Sequence, residues 1–391
     1  MQQQGMVSRV CQKGWWCAFV LILFLVLCPG SAHADGGAPN LAYVAGAGHG
    51  LSIIDIAQKR VTSTLNISGD PHTALLSLDG RFLYIAQPAS GEVTVLAAKT
   101  GQVICSAHLA GNPSLLALDS STSTLYAAGN GAAKVYALDP NTCALRRTLA
   151  TSGSVYGLAS TQLTTEGETQ TQLWVTEPTS LAVFNQQGQL STRIPVPAGP
   201  RFISLPGGNN AYVTTTRGTV LAVDFATYAV RLLLSGGDFG PMDFNENTSE
   251  VYVPDRLHNQ IDVLTPVPAA PQPLPREPGH VISLSGSPQS VAITSDGQFG
   301  FVALYSGQVV MLDIPGRQVI TTINVGGSPH FIITGLYPPL LGATPQQATI
   351  LQTVGSIVAY LLLAALLLGP LAFWWRYNQK QQAAAQKEPV P

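Results

Sequence analysis

The sequence predicts an all-β fold: a seven-bladed β-propeller that is closed by N- and C-terminal strands in one composite blade. One C-terminal transmembrane helix follows the propeller. Three observations predict this arrangement. A short turn followed by an apolar run recurs at intervals of 41 to 47 residues. Each interval contains several short runs in which apolar and polar residues alternate, and an uncharged apolar stretch follows the last repeat. Four short strands in every 40 to 50 residues or so is the pattern of a propeller blade.

The first 34 residues have the organisation of a secretory signal peptide. Arg9 and Lys13 precede the apolar core at residues 15–28, and Ala32 and Ala34 supply the small residues before the expected cleavage site. A retained membrane anchor is the alternative, which the short apolar core disfavours. The sequence therefore predicts that the repeats function outside the cytoplasm.

The repeats carry two regular markers. One is the residue that follows each short turn: His72, Ser114, Tyr156, Arg201, Met242, Gln289 and His330. The other is an aromatic residue in the following apolar run: Tyr84, Tyr126, Trp174, Tyr212, Tyr252 and Phe301. Periodicity of 3.6 residues, which a helical solenoid would require, is confined to the two ends of the chain. We therefore expect strands throughout residues 40–337.

The two ends of this region complete one another. Before Gly69 the chain supplies only three strand-like segments, LAYVAG, LSIIDI and VTSTLNI, whereas FIITGL at residues 331–336 begins a repeat that never finishes. We expect FIITGL to pair beside the segment around Tyr43 and to complete a seventh blade. Such pairing removes the open sheet edge that would otherwise promote aggregation.

Several segments resemble the YVTN family of β-propeller repeats. They are AYVAG (42–46), LYIAQ (83–87), AYVTT (211–215) and the longer phrase SGEVTVLAAKTGQV (90–103). The resemblance covers nearly all of residues 40–337 and implies a propeller of the extracytoplasmic kind. It leaves the function open, because such propellers occur in binding proteins, surface-layer proteins and enzymes.

The C-terminal part predicts a membrane anchor. After a linker at residues 338–349, residues 350–375 contain no Asp, Glu, Lys or Arg and end in Trp374 and Trp375. Arg376 follows directly, so the positive-inside rule places the tail at 376–391 in the cytoplasm. A buried helix of a soluble domain is the alternative. We predict a single-pass plasma-membrane protein with its propeller outside and the membrane as a partner through this helix.

Composition limits the other partners. Only 10% of the residues are charged, and residues 35–347 carry a net charge of −6, which excludes a nucleic acid as the partner of the propeller. No motif for a cofactor is present, and we expect none. Cys105 and Cys143 remain after signal removal; they fall at different offsets in adjacent repeats, which favours free buried thiols over a disulfide, although the sequence leaves their pairing open.

Propeller geometry predicts where a ligand would bind. The turns between blades, and the loops between second and third strands, meet at one end of the central channel. The candidate ligand-binding residues at that end are His72, Tyr156, Arg201, Gln289, His330, Arg217 and His258. His72 and His330 become neighbours when the ring closes and could hold a metal, but catalytic zinc usually takes three protein ligands. The aspartates at strand ends on the opposite face should make structural Asx turns: Asp55, Asp139, Asp224 and Asp313.

These observations support two functional hypotheses. The first is a membrane-anchored extracytoplasmic binding or scaffold module that engages a protein or a cell-envelope polymer through its membrane-distal face. The second is a metal-dependent lyase or hydrolase of the lactonase type, with its site at the channel mouth. No nucleophile elbow, HExxH motif or phosphate-binding glycine loop is present, so the sequence assigns no catalytic residue and favours the binding module.

Overall fold

The computed structural model describes residues 40–335, except residues 49, 166–167 and 269–275. This part of the chain folds into 28 β-strands joined by turns and contains no helix. The predicted signal peptide, linker, transmembrane span and cytoplasmic tail lie outside the described residues, as do His49 and Leu336. Within the described part, no helix is long and apolar enough to cross a membrane.

The strands form seven antiparallel four-stranded sheets, which we number as blades in chain order. Blade 1 consists of β1 (Leu41–Ala47), β2 (Gly50–Asp55), β3 (Arg60–Leu65) and β28 (Phe331–Gly335). Blade 2 contains β4 (Thr73–Leu76), β5 (Phe82–Gln87), β6 (Glu92–Ala97) and β7 (Val103–His108), and blade 3 contains β8 (Leu115–Asp119), β9 (Thr124–Ala128), β10 (Lys134–Leu138) and β11 (Leu145–Ala150). Blade 4 contains β12 (Gly157–Thr165), β13 (Glu168–Thr176), β14 (Ser180–Asn185) and β15 (Leu190–Pro195).

The remaining three blades follow in the same order. Blade 5 contains β16 (Pro200–Ser204), β17 (Asn210–Thr215), β18 (Thr219–Asp224) and β19 (Val230–Ser235). Blade 6 contains β20 (Asp243–Phe244), β21 (Val251–Asp255), β22 (Gln260–Leu264) and β23 (His280–Ser283). Blade 7 contains β24 (Pro288–Ile293), β25 (Phe299–Leu304), β26 (Gln308–Asp313) and β27 (Gln318–Asn324). The protein is therefore an all-β, seven-bladed β-propeller.

The ring closes in blade 1, as the sequence predicts. Strand β28 pairs antiparallel with β1, with Tyr43 opposite Ile333 and Leu41 opposite Gly335. The backbone N–H of His330 extends the pairing by donating to the carbonyl of Ala45 at 3.0 Å. The inner edge of β1 is therefore covered by the last strand of the domain, and the two ends of the propeller are held together without a covalent link.

Each pair of adjacent blades shares one apolar core, seven cores in all. The second and third strands are covered by neighbouring blades on both faces, so they are largely buried; β5, for example, is buried from Leu83 to Gln87. The outermost strands alternate instead, because one side meets solvent. The largest buried side chain is Trp174, whose ring contacts Phe225 edge-on across the interface between blades 4 and 5 at 5.4 Å.

The aspartates at the ends of third strands make the predicted Asx turns. Asp55, Asp139, Asp224 and Asp313 each accept a hydrogen bond from a backbone N–H two or three residues further along the chain. In blade 3 the side chain of Arg146 also donates to Asp139 at 2.6 Å and, as the largest cause, lowers the pKa of that carboxyl to about 2. These residues stabilise turns and belong to the structural framework.

The preference for free thiols is wrong. Cys105 and Cys143 form a disulfide whose Cα atoms are 5.8 Å apart. Cys105 lies on β7, the outermost strand of blade 2, and Cys143 lies in the turn after β10 of blade 3. The different offsets within the repeat therefore bring the two residues together, because neighbouring blades are rotated and the rim of one blade packs beside the outer turn of the next.

Candidate functional site

The predicted ring of post-turn residues surrounds a cavity of about 280 Å³ at one end of the central channel. We call this end, where the turns between blades meet, the upper end, and the cavity the upper compartment. Four of the seven predicted ligand-binding residues line it: His72, Arg201, Gln289 and His330. His72 and His330 directly precede the inner strands of their blades, and Arg201 and Gln289 are the second residues of theirs, so all four lie where the inner strands start.

The two histidines lie side by side because β28 closes the ring next to blade 2. Their rings stack with centroids 5.5 Å apart and planes inclined by 18°. Nδ1 of His72 lies 3.2 Å from the carbonyl of Ser114, and Nε2 of His330 lies 3.9 Å from Oδ1 of Asp70. Burial lowers the pKa of His72, and the neighbouring His330 lowers it further. His72 is therefore mainly neutral at pH 7.

Stacked rings do not point their nitrogen atoms at a common ion. Each imidazole nitrogen has its lone pair or proton in the ring plane, whereas His72 and His330 present ring faces to one another. In the part of the chain that the structure describes, no group of three His, Cys, Asp or Glu side chains is arranged to hold a metal ion. A metal ion bound by His72 and His330 therefore stays a prediction, and the described residues supply no third ligand beside these two.

Two arginines give the upper compartment its positive charge. Arg201 and Arg256 both line the cavity and both place the guanidinium carbon near the ring of Phe202, at 5.0 and 5.8 Å from its centroid. A cation near the face of an aromatic ring is stabilised by the ring quadrupole. Phe202 thus stabilises two positively charged guanidinium groups at the mouth of the upper compartment.

The charge of Arg256 is only weakly compensated. Its side chain is 19% exposed, and its Nη1 lies 3.8 Å from Oδ1 of the exposed Asp238. Nη2 donates to the carbonyl of Gln289 at 3.3 Å, while the buried Nε atom has no hydrogen-bond partner among the described residues. Desolvation lowers the pKa of Arg256, Asp238 opposes this, and Arg201 lowers it further. The guanidinium still carries its charge at neutral pH.

Three predicted residues lie on loops of the upper end but do not line the compartment. Tyr156 is 37% exposed and donates its backbone N–H to Thr176. Arg217 is exposed in the turn between β17 and β18. His258 binds Oδ2 of Asp255 through Nδ1 at 2.5 Å, and this hydrogen bond raises the pKa of the imidazole.

Arg256 and Phe202 line the compartment but are not among the predicted ligand-binding residues. Arg256 follows β21 directly, and its loop position is visible in the sequence, but nothing in the sequence indicates that its side chain turns towards the channel. Phe202 follows Arg201 and would face the opposite side in a regular strand. A β-bulge in β16, between Pro200 and Ile203, explains why both residues line the cavity.

Another upper-loop residue, Glu177, is structural. It is fully buried and accepts five hydrogen bonds: from the backbone N–H and Oγ of Ser152, from Oγ of Ser180, and from Nε and Nη2 of Arg193 at 2.8 and 3.1 Å. Burial alone would raise its pKa, but these donors prevail and lower the pKa to about 2. Glu177 joins the turn before blade 4 to the outermost strand of that blade.

Comparison with known proteins supports the fold. The chain matches no family model and no curated protein sequence. Among solved structures it is similar to the periplasmic gluconolactonase PpgL of Pseudomonas aeruginosa, with a TM-score of 0.62, 19% identity, and coverage of 76% of this chain and 99% of that one. It is also similar to apo AztD of Citrobacter koseri, with a TM-score of 0.57, 10% identity, and coverage of 77% and 100%.

A third similar structure is the dihydro-heme d1 dehydrogenase NirN, with a TM-score of 0.55 and 15% identity over 75% of this chain and 74% of that one. At such low identity these likenesses show the fold alone. They place the chain among seven-bladed β-propellers, while the YVTN repeat family stays a resemblance of individual segments.

Proposed function

We propose that this protein is a membrane-anchored, extracytoplasmic binding propeller that holds an anionic group of its ligand in the upper compartment. The observation that carries the proposal is the convergence of Arg201 and Arg256 on Phe202 at the mouth of the channel. The ligand is a protein or a cell-envelope polymer that presents a carboxylate or a phosphate.

The electrostatics of the compartment favour an anion. The nearest acids, Asp238 and Asp70, lie 3.8 and 3.9 Å from Arg256 and His330 and are themselves mostly exposed, so they neutralise the site incompletely. A guanidinium forms strong charge-assisted hydrogen bonds with carboxylates and phosphates. An anion between the arginines would relieve their mutual repulsion.

The chain order suggests how the site faces its ligand. Strand β28 ends at the lower end of the channel, and only residues 336–349 separate it from the predicted membrane span. A short linker favours the lower face next to the bilayer and the upper compartment on the membrane-distal side. A metal-dependent lyase or hydrolase is the alternative, and the described residues contain no group of three His, Cys, Asp or Glu side chains that could hold its metal ion.

Anion titrations of matched arginine variants test the proposal. The purified full chain is titrated with inorganic phosphate and with butanoate, and the wild type is compared with Arg201→Gln and Arg256→Gln. Removing one charge-assisted hydrogen bond costs about 1.5 to 3 kcal/mol, so we expect affinity to fall roughly tenfold or more in each variant. Arg217→Gln is the control, because this exposed arginine lies on the same face without lining the compartment.

The result that contradicts the proposal is equal binding in all four proteins, or no saturable binding of either anion to the wild type. Whole-cell labelling tests the orientation separately. Antibodies against the upper loop containing Tyr305 should reach it on intact cells, and those against the lower turn containing Thr227 should reach it poorly. The reverse pattern would contradict the proposed orientation.

A further inference from the structure

The central channel contains a second cavity below the upper compartment. It has a volume of about 470 Å³, and we call it the lower compartment. Its wall is mainly aliphatic and includes Leu76, Val291, Ile293 and Ile333. Cavities of this size hold small organic ligands, which bury most of their surface against apolar walls.

The two compartments adjoin one another. Pro241, Met242 and Phe331 line both of them. The side chain of Met242 is unbranched and flexible, which makes it a boundary that can adapt to a ligand. A molecule bound at the arginines can therefore extend downward past Met242 and Phe331 without leaving the channel.

The inner strand of blade 6, which lines the lower compartment, is the shortest inner strand of the seven blades. Strand β20 has two residues, Asp243 and Phe244, whereas β24 of the adjacent blade 7 has six. Pro241 has no backbone N–H to donate, and it interrupts the pairing between the isolated bridge at Phe239 and the start of β20. This short and irregular segment itself lines the lower compartment, through Pro241, Met242, Asp243, Phe244 and Glu246.

Two polar groups in the wall of the lower compartment, on Asp243 and Thr334, are engaged with the protein, whereas Glu246 and Ser295 are exposed there. Oδ2 of Asp243 accepts the backbone N–H of Ile293 at 2.7 Å, and Oγ1 of Thr334 donates to the carbonyl of the same residue at 3.1 Å. Desolvation raises the pKa of Asp243 to about 6, with a further contribution from Glu246. The surface that remains for a ligand is therefore predominantly apolar.

We propose that the ligand of this propeller is a single-chain anionic amphiphile. Its carboxylate or phosphate lies between Arg201 and Arg256 in the upper compartment, and its apolar chain passes Met242 and Phe331 into the lower compartment. This inference rests on the proposed function, since it extends the same anion site by a specific site for the chain. The cell-envelope polymer of the proposed function presents this amphiphile as its acyl-bearing end, and free alkanoates serve as the probe for it.

A series of alkanoates measures the contribution of the lower compartment. Butanoate, hexanoate, octanoate and decanoate are titrated below their micelle-forming concentrations into the full chain, in one reconstituted preparation. Burying one methylene is worth up to about fourfold in affinity, so affinity should increase steeply from butanoate to octanoate. Leu76→Phe, which reduces the lower compartment only, should flatten this increase while leaving butanoate binding unchanged.

A second variant controls for the case in which Leu76→Phe impairs folding. Ser295 is exposed and lines the lower compartment, so Ser295→Phe adds volume there without burying a larger side chain in a core. It should also weaken octanoate binding and leave butanoate binding unchanged. An equal increase with chain length in the wild type and both variants would mean partitioning into the surrounding medium, and it would overturn the inference.

The remaining outcomes separate the inference from the proposed function. If butanoate binds in an Arg256-dependent manner but affinity is the same for all chain lengths, the chain site is wrong and the anion site stands. If no alkanoate and no phosphate binds, the proposed function itself fails. Tighter binding of octylamine than of octanoate would also overturn the inference, because Asp243 and Glu246 would then dominate recognition.

Discussion

Replacing Glu177 by Gln should destabilise the propeller without affecting the candidate ligand site. Glu177 is fully buried, and its pKa is lowered from 4.5 to about 2 by Arg193 and the two serines that donate to it. A depression of this size corresponds to about 3 kcal/mol of folding free energy. Glutamine keeps one acceptor oxygen but turns an amide N–H₂ towards the Arg193 guanidinium.

Thermal and urea unfolding of the wild type and Glu177→Gln at pH 7 measure this contribution. Because the side chain of Arg193 is 38% exposed, solvent screening reduces the value, and we expect a loss of about 2 to 3 kcal/mol. For a domain of this size such a loss lowers the Tm by roughly 3 to 5 °C. Anion binding should be unchanged, since Glu177 does not line the upper compartment.

The pH dependence gives the stricter test. A carboxyl whose folded pKa is depressed stabilises the protein above its unfolded pKa, and this stability is lost as the pH falls from about 4.5 towards 2. The difference between wild type and Glu177→Gln should therefore be constant at neutral pH and shrink through this window. The exposed Glu277→Gln is the matched control. A difference that does not change with pH, or an equal effect at Glu277, would refute the reasoning.

Two further predictions concern the framework. Replacing Cys105 and Cys143 by serine opens a loop with a sequence separation of 38 residues, which should lower the free energy of unfolding by up to about 4 kcal/mol. Urea unfolding with and without reductant measures this loss. Equal stability of the variant and the oxidised wild type would contradict a structural disulfide. For Asp243, the raised folded pKa means that stability is full below about pH 4 and declines as the pH rises to about 6. Asp243→Asn should therefore be more stable than the wild type at pH 8 and equal to it near pH 4, and the same difference at both values would exclude titration of this carboxyl as the cause.

The fold was accessible from the sequence because a propeller repeats one local pattern. Alternation along strands and turn residues between them are local properties, and seven similar turns at nearly constant spacing predict the blade number. The closing strand was predicted for the same reason: FIITGL had the pattern of an inner strand and no partner in its own repeat, and its pairing beside Tyr43 is confirmed.

The candidate ligand-binding site could be predicted only in part from the sequence. The repeat placed His72, Arg201, Gln289 and His330 at one cavity, because the turns between blades bring the starts of the inner strands together at one end of the channel. Tyr156 and Arg217 lie on the correct face but outside that cavity, since neither loop topology nor spacing specifies the direction of a loop side chain. A local irregularity, the bulge in β16, added Phe202.

The sequence by itself determined the class of architecture, the number of blades and the way the ring closes, because these depend on local periodicity and on the need to pair every strand. Only the tertiary structure decided that Cys105 bonds to Cys143, that Arg256 turns towards the channel, and that two adjoining cavities form within the channel. Each of these depends on contacts between neighbouring blades, where residues far apart in the chain meet at distances that no spacing along the sequence specifies.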